Sequence, residues 1–143
     1  MRAHPDFADR AIPEFVELGP YRLTRLGMAD LDEDFAAVTE SAGILEGLFG
    51  DDWPRGLTRE DDLLDLAWHE REFSLGRSFA WVIRDSAGAY LGCAYVFPPW
   101  DPTAPLEAYC WLRSGAEGHA DEATANFGHW LSAPPGRRGA ACA

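Results

Sequence analysis

Carboxylates are the most numerous reactive side chains in this sequence. Its 143 residues include 24 acidic and 12 basic side chains, giving a formal net charge of −12 and a sequence pI near 4.5. Every basic residue is arginine. The excess favours a cationic partner such as an amine, although a solvated acidic surface is the commoner origin of such a charge. It argues against nucleic-acid binding, which needs clustered Lys or Arg to neutralise phosphates, and against docking on anionic membrane.

Other chemistries find little support in the residue spacing. Cys93 and Cys110 each sit in an apolar, strand-like run, where cysteine acts as a small buried hydrophobe, and Cys142 lies in a small-residue tail. No C-x-x-C pair occurs, and three is an odd number for a disulfide framework. Cys110 has no neighbouring His or helix start to activate it as a nucleophile. His4, His69, His119 and His129 form no H-E-x-x-H string, since Phe73 stands where a second ligand after His69-Glu70 would be, so no metal site is expected. His119 and His129 read as surface residues able to titrate near neutral pH. A G-x-S-x-G elbow is missing, and without lysine there is no Walker motif.

One domain is expected, residues 1–143, because domains cluster at ~100–150 residues. With 47% apolar residues and six Trp it should form a real core. No apolar run approaches the ~18–20 residues of a membrane span, and residues 1–10 carry Asp6 and Asp9 without an apolar signal core, so a cytoplasmic location is expected.

The elements that must position any site follow from periodicity. Residues 1–20 read as a loosely specified lead-in broken at Pro5, Pro13 and Gly19-Pro20. Residues 21–26 alternate as a strand, and Asp30 is placed to cap a helix with Leu31, Phe35 and Val38 on its buried stripe. Residues 44–49 are apolar but glycine-rich, a short helix or packed loop. Thr58 and Asp61 approximate a capping box for a helix running to about Leu75, with Leu63, Leu66, Ala67 and Phe73 inward, Leu64 and Trp68 widening that face, and Gly76 closing it.

Strands at 79–84 and 90–97 join through Asp85-Ser86-Ala87-Gly88 as a hairpin. After a proline-rich connection, residues 107–113 form a strand with Tyr109 and Trp111 on one face and Ala108, Cys110 and Leu112 on the other. A Gly-containing turn at 114–120 opens a helix over 121–131 lined by Ala123, Phe127, Trp130 and Leu131. Residues 132–143 read as a flexible tail.

The order strand, two helices, hairpin, strand, turn, helix over residues 20–131 resembles the GNAT superfamily of acetyl-CoA-dependent N-acetyltransferases. The resemblance rests on Tyr21-Arg22-Leu23-Thr24-Arg25-Leu26, on Trp53-Pro54, on Asp85 to Ala94 with its Leu91-Gly92, and on Glu107-Ala108-Tyr109-Cys110-Trp111-Leu112-Arg113. It implies an α/β (α+β) fold: a central, mostly antiparallel sheet flanked by helices, lacking the usual C-terminal strands. It also implies acetyl-CoA or another acyl-CoA as cofactor and a small-molecule amine as substrate.

Family members bind the cofactor pyrophosphate on a Gln/Arg-x-x-Gly-x-Gly/Ala loop at a helix start, where backbone N–H groups lack internal partners. The corresponding stretch is Gly115-Ala116-Glu117-Gly118-His119-Ala120, which has Gly115 in place of Gln or Arg and crowds Glu117, Asp121 and Glu122 at the helix start. The residues the resemblance assigns to the cofactor are Cys93, Leu112, Arg113, Gly115, Gly118, His119 and Ala120. Glu107 is the expected base and Tyr109 the expected acid, each with a plainer reading as a solvated strand end and a packed aromatic.

The family's cofactor slot lies where two strands splay, and here its second wall is missing from the pattern. A shortened relative, a strand from a partner chain and a lost C-terminus all remain open. Whether the strands of Cys93 and Glu107 splay beside Gly118 is the feature that bears on this. The competing reading is a catalytically silent binding or assembly module, such as a homodimer through an exposed strand edge.

Overall fold

The structure, a computed structural model, describes residues 5–7, 11–99, 101 and 103–133. A single antiparallel sheet runs in the order β1-β2-β3-β4-β5, with β1 Phe15–Leu18, β2 Tyr21–Arg25, β3 Phe79–Arg84, β4 Tyr90–Phe97 and β5 Glu107–Leu112. Helices α1 (Leu31–Glu40), α2 (Ala42–Leu45) and α3 (Arg59–Ser74) come between β2 and β3, and α4 (Ala120–Ser132) follows β5.

Two of these elements depart from the sequence reading. Residues 15–18, taken above as lead-in, form β1 and pair with β2 through a tight turn in which Gly19 has φ +62°. Val16 and Leu18 point inward while Phe15 and Glu17 point out, a period-2 signal too short to stand out beside the prolines. The sequence reading of α3 differs from the structure by a rotation: its buried stripe is Asp62, Leu66, His69, Glu72 and Phe73, whereas Leu63 and Leu64 are exposed at 36% and 64%. The ends of α3 match local chemistry. Thr58 and Asp61 exchange capping hydrogen bonds at 3.1 Å each, and Gly76, at φ +68°, lets Gly76 N–H and Arg77 N–H reach the carbonyls of Phe73 and Glu72.

Each face of the sheet carries its own core. On one side α4 lays Ala123, Phe127 and Trp130 over Leu23, Trp81 and Ile83. On the other, α1 and α3 cover Ala80, Val82, Cys93 and Tyr95 with Ala37, Val38 and Leu66. A bulge sets which β4 residues face which core: Ile83 pairs with Gly92 and Arg84 with Tyr90, leaving Leu91 as the extra residue. Tyr90 and Cys93, three apart, therefore share the α1/α3 face.

Strands β4 and β5 pair continuously from Gly92↔Leu112 to Phe97↔Glu107, so the strands of Cys93 and Glu107 do not splay. Gly92 is required there, since a Cβ would stand 1.9 Å from the Trp111 carbonyl oxygen. Of the expected tail, 132–143, Ser132 instead ends α4 with Ala133 as its cap, and residues 134–143 lie outside the described residues.

Candidate functional site

Two clefts flank the segment that leaves α2. Ile44, Leu45 and Leu48 form one wall of the first, a cleft of about 240 Å³ along the outer edge of β5. Cys110, Trp111 and Leu112 form its floor, and Glu117, Ala120 and Thr124 its end. Among the described residues β5 pairs only with β4, so this edge carries no further strand. The second cleft, about 230 Å³, opens on the other side of the segment, where Phe49 and Trp53 face Trp68 and His69 of α3 and Tyr95 and Phe97 of β4. A hydrogen bond joins the two: Trp111, in the floor of the first, donates its Nε1–H to the Tyr95 hydroxyl in the wall of the second at 2.9 Å.

The turn between β5 and α4 closes one end of the first cleft. Gly115 adopts φ +92°, and its N–H donates to Glu117 Oε2 at 2.8 Å. Ser114 N–H is taken by Ser41 Oγ at 2.9 Å, while the N–H groups of Ala116 and His119 bond within the turn. Glu117 thus sets a carboxylate of the chain itself on this turn. His119 Nδ1 lies 2.9 Å from the Tyr21 hydroxyl, which also donates to Glu122 Oε2 at 3.2 Å. Gly118 is exposed, and a Cβ there would meet nothing within 4 Å.

The structure brings only some of the expected site residues together. Leu112 and Ala120 line the first cleft, with Gly115, Gly118 and His119 in the adjoining turn. Arg113 turns back, pairing with Glu40 and donating to the Tyr90 carbonyl at 3.4 Å. Cys93 is fully buried under α1 and lines neither cleft, so its side chain cannot meet a cofactor lying in them. Glu107 and Tyr109 do meet: the Tyr109 hydroxyl donates to Glu107 Oε2 at 3.2 Å. The Tyr109 ring lies 5.7 Å from Phe49 and 5.9 Å from Phe97, beside the second cleft, and partial burial raises its hydroxyl pKa. Burial pushes the Cys110 thiol up to about 12, which keeps it a thiol rather than a nucleophilic thiolate.

A polar network missed in the sequence lies beneath the second cleft. Asp34 of α1 and Asp62 of α3 are 4% and 1% exposed and hydrogen-bond to each other. Burial, reinforced by the Asp34 charge, pushes the Asp62 carboxyl up to about 8, so near neutral pH Asp62 holds a proton and donates it to Asp34. Tyr90 also donates to Asp34, and its hydroxyl lies 2.9 Å from Cys93 Sγ. Asp62 Oδ2 has no hydrogen-bond partner among the described residues. The usable sequence signal was the spacing of Asp62, Leu66, His69 and Phe73, which follows one helix face but looks polar at two of its four positions.

No family model matches the sequence, and no curated protein matches it. Solved structures do. The CoA-bound structure of RimL, a ribosomal L7/L12 alpha-N-protein acetyltransferase, superposes with a TM-score of 0.63 at 14% identity, over 73% of this chain and 59% of that one. A protein described as a GnaT-family acetyltransferase from Bordetella pertussis gives 0.58 at 21% identity, over 82% and 71%. The fold is that of the GNAT acetyltransferases. A Vibrio cholerae protein described as a ribosomal-protein-serine acetyltransferase gives 0.62 at 8% identity, over 79% and 63%.

The chain thus spans 59% and 63% of the RimL and Vibrio chains. The expected antiparallel sheet flanked by helices is present, and at these identities the likeness carries the GNAT fold rather than any one activity. Among the described residues no helix is long and apolar enough to cross a membrane.

Proposed function

We propose that this GNAT-fold chain is an acyl-CoA-dependent N-acyltransferase acting on a small amine in the cytoplasm. The observation that carries the reading is the pair of clefts on either side of residues 44–53, bridged by the Trp111–Tyr95 hydrogen bond. Apolar Ile44, Leu45 and Leu48 beside the β5 edge suit the pantetheine arm of the cofactor, with its phosphates toward the 115–120 turn. RimL's occurrence with CoA supports a CoA-type cofactor on this fold. When bound, acyl-CoA supplies a thioester-activated acyl group. The chain's contribution is to hold the amine beside it and to offer outward N–H groups of the β5 edge to the charge that develops on the carbonyl oxygen.

Glu107 takes the ammonium proton, and Tyr109, hydrogen-bonded to it, returns a proton to the departing sulfur. A C–N bond forms and a C–S bond breaks. The ammonium loses one proton before attack and a second after it, the sulfur takes up one, and one proton is released per turnover. Calorimetric titration with acetyl-CoA tests the reading: saturable heat at one site is expected. No heat at millimolar cofactor, from protein shown to be folded by circular dichroism, overturns it.

One observation favours a second reading, a catalytically silent binding or assembly module. Glu117 already occupies the Gly115 N–H, and Asp121 and Glu122 add negative charge where the pyrophosphate would lie. In that case the β5 edge would pair with a second copy of the chain. Light scattering that gives a sharp monomer across a wide concentration range excludes that pairing.

A further inference from the structure

We infer that the second cleft binds an organic monocation, a single ammonium carried on an apolar body. Rings supply most of its wall. Phe49 sits at their centre, with centroids 5.3 Å from Trp53, 5.6 Å from Tyr95 and 6.0 Å from Phe97, all three edge-on or tilted. Tyr95 and Phe97 stack at 5.4 Å, and the Trp68 ring adjoins His69 at 5.1 Å. Each ring fixes its neighbour, so the cleft is shaped before a ligand arrives and little ordering remains to oppose binding. Phe49 and Trp68 each stay 37% exposed, which leaves aromatic surface in contact with water at the opening.

Charge decides what such a cleft takes. The remaining lining residues include the carboxylates of Asp51 and Asp65, and no arginine is among them. Asp65 is held at the rim, its Oδ2 3.5 Å from His69 Nε2. An anion would be repelled there, and a neutral apolar ligand would strip water from two carboxylates without return. A cation placed within ~6 Å of the ring centroids gains both the ring quadrupoles and the carboxylate field. His69, 7% exposed, adds a ring nitrogen beside Asp65 in that lining and can help fix the ligand's orientation.

As the identity of the acyl acceptor this inference rests on the transferase reading, but binding of the cation does not. The test is calorimetric titration of the full chain, without acyl-CoA, with 2-phenylethylammonium, with the neutral isostere 2-phenylethanol and with phenylacetate. The ammonium is expected to bind at least tenfold more tightly than the alcohol, with phenylacetate weaker still. Trp68→Leu and Asp65→Asn, at exposed positions on α3, should each weaken the ammonium at least threefold, with melting curves to verify their fold. Asp65→Asn should leave the alcohol unchanged. Equal binding of ammonium and alcohol, or no binding of any of the three, overturns the inference. Binding without acyl transfer leaves it standing and removes the transferase reading. Acyl transfer to other amines with no binding of the phenylethylammonium removes it alone.

Discussion

Replacing Asp62 with asparagine should make the protein more resistant to alkaline pH. Asp62 is 1% exposed, faces Asp34 across the α1–α3 contact, and lies near Asp65 and Arg59 of its own helix. Tyr90 and Cys93 of β4 close over Asp34 from the sheet. Its carboxyl stays protonated up to about 8, whereas an unfolded-state aspartate ionises near its ordinary value of 3.8. Below pH 4 both states hold the proton, and the side chain contributes fully to stability. As pH rises toward 8 the unfolded state alone gains from ionising, at ~1.4 kcal/mol per pH unit, so stability falls across that window by at most about 6 kcal/mol.

Asparagine keeps the shape and can donate an amide hydrogen to Asp34 in place of the carboxyl proton, but it does not ionise. Urea unfolding of Asp62→Asn and wild type at pH 5, 7 and 9 isolates the effect of the Asp34–Asp62 pair, because the groups outside that pair are the same in both. The variant should gain on wild type by several kcal/mol between pH 5 and pH 9, a large share of the ~5–15 kcal/mol total of a small domain. A difference that stays flat with pH would refute the shared-proton reading, and one that moves against the variant would show Asp62 to be ionised in the fold.

Four other substitutions probe the β4–β5 pairing, the turn and the expected acid. Gly92→Ala drives a Cβ into the Trp111 carbonyl and the Leu112 Cα, so it should cost more than ~3 kcal/mol in thermal melts, whereas Gly118→Ala, with open space around it, should leave the melt unchanged. Glu117→Gln removes the charge that holds the Gly115 N–H and should tighten acetyl-CoA severalfold by calorimetry, with equal affinity counting against a pyrophosphate at this turn. Tyr109→Phe deletes the hydroxyl on Glu107 and should lower turnover at least tenfold at unchanged melting temperature; full activity would remove Tyr109 as the acid.

Local chemistry was the legible part of this sequence. The Thr58–Asp61 cap, the Asp85-Ser86-Ala87-Gly88 turn, the apolar stripe of α4 and the alternating faces of β5 each follow from residues within one element, and the structure has all four. What escaped depends on partners far along the chain. Asp62 is buried against Asp34 of another helix, and with that face of α3 turned inward Leu63 and Leu64 face water. Cys93 stands with Tyr90 because Leu91 bulges, a shift that no period-2 pattern reveals. The aromatic cleft draws on three separate segments, and its rings are spread from Phe49 to Phe97 with no spacing of their own. Glu107 and Tyr109, two apart on one strand, were within reach of sequence reasoning, and the structure joins them by a hydrogen bond.

The central claim is transfer of an acyl group from CoA to an organic ammonium. Incubating the full chain with acetyl-CoA and 2-phenylethylammonium, and following free CoA thiol together with the mass of the amine, tests it directly. The account predicts thiol release in step with an N-acetylated amine, sharply reduced by Tyr109→Phe. Folded protein that releases no thiol above the rate of acetyl-CoA in buffer would contradict it.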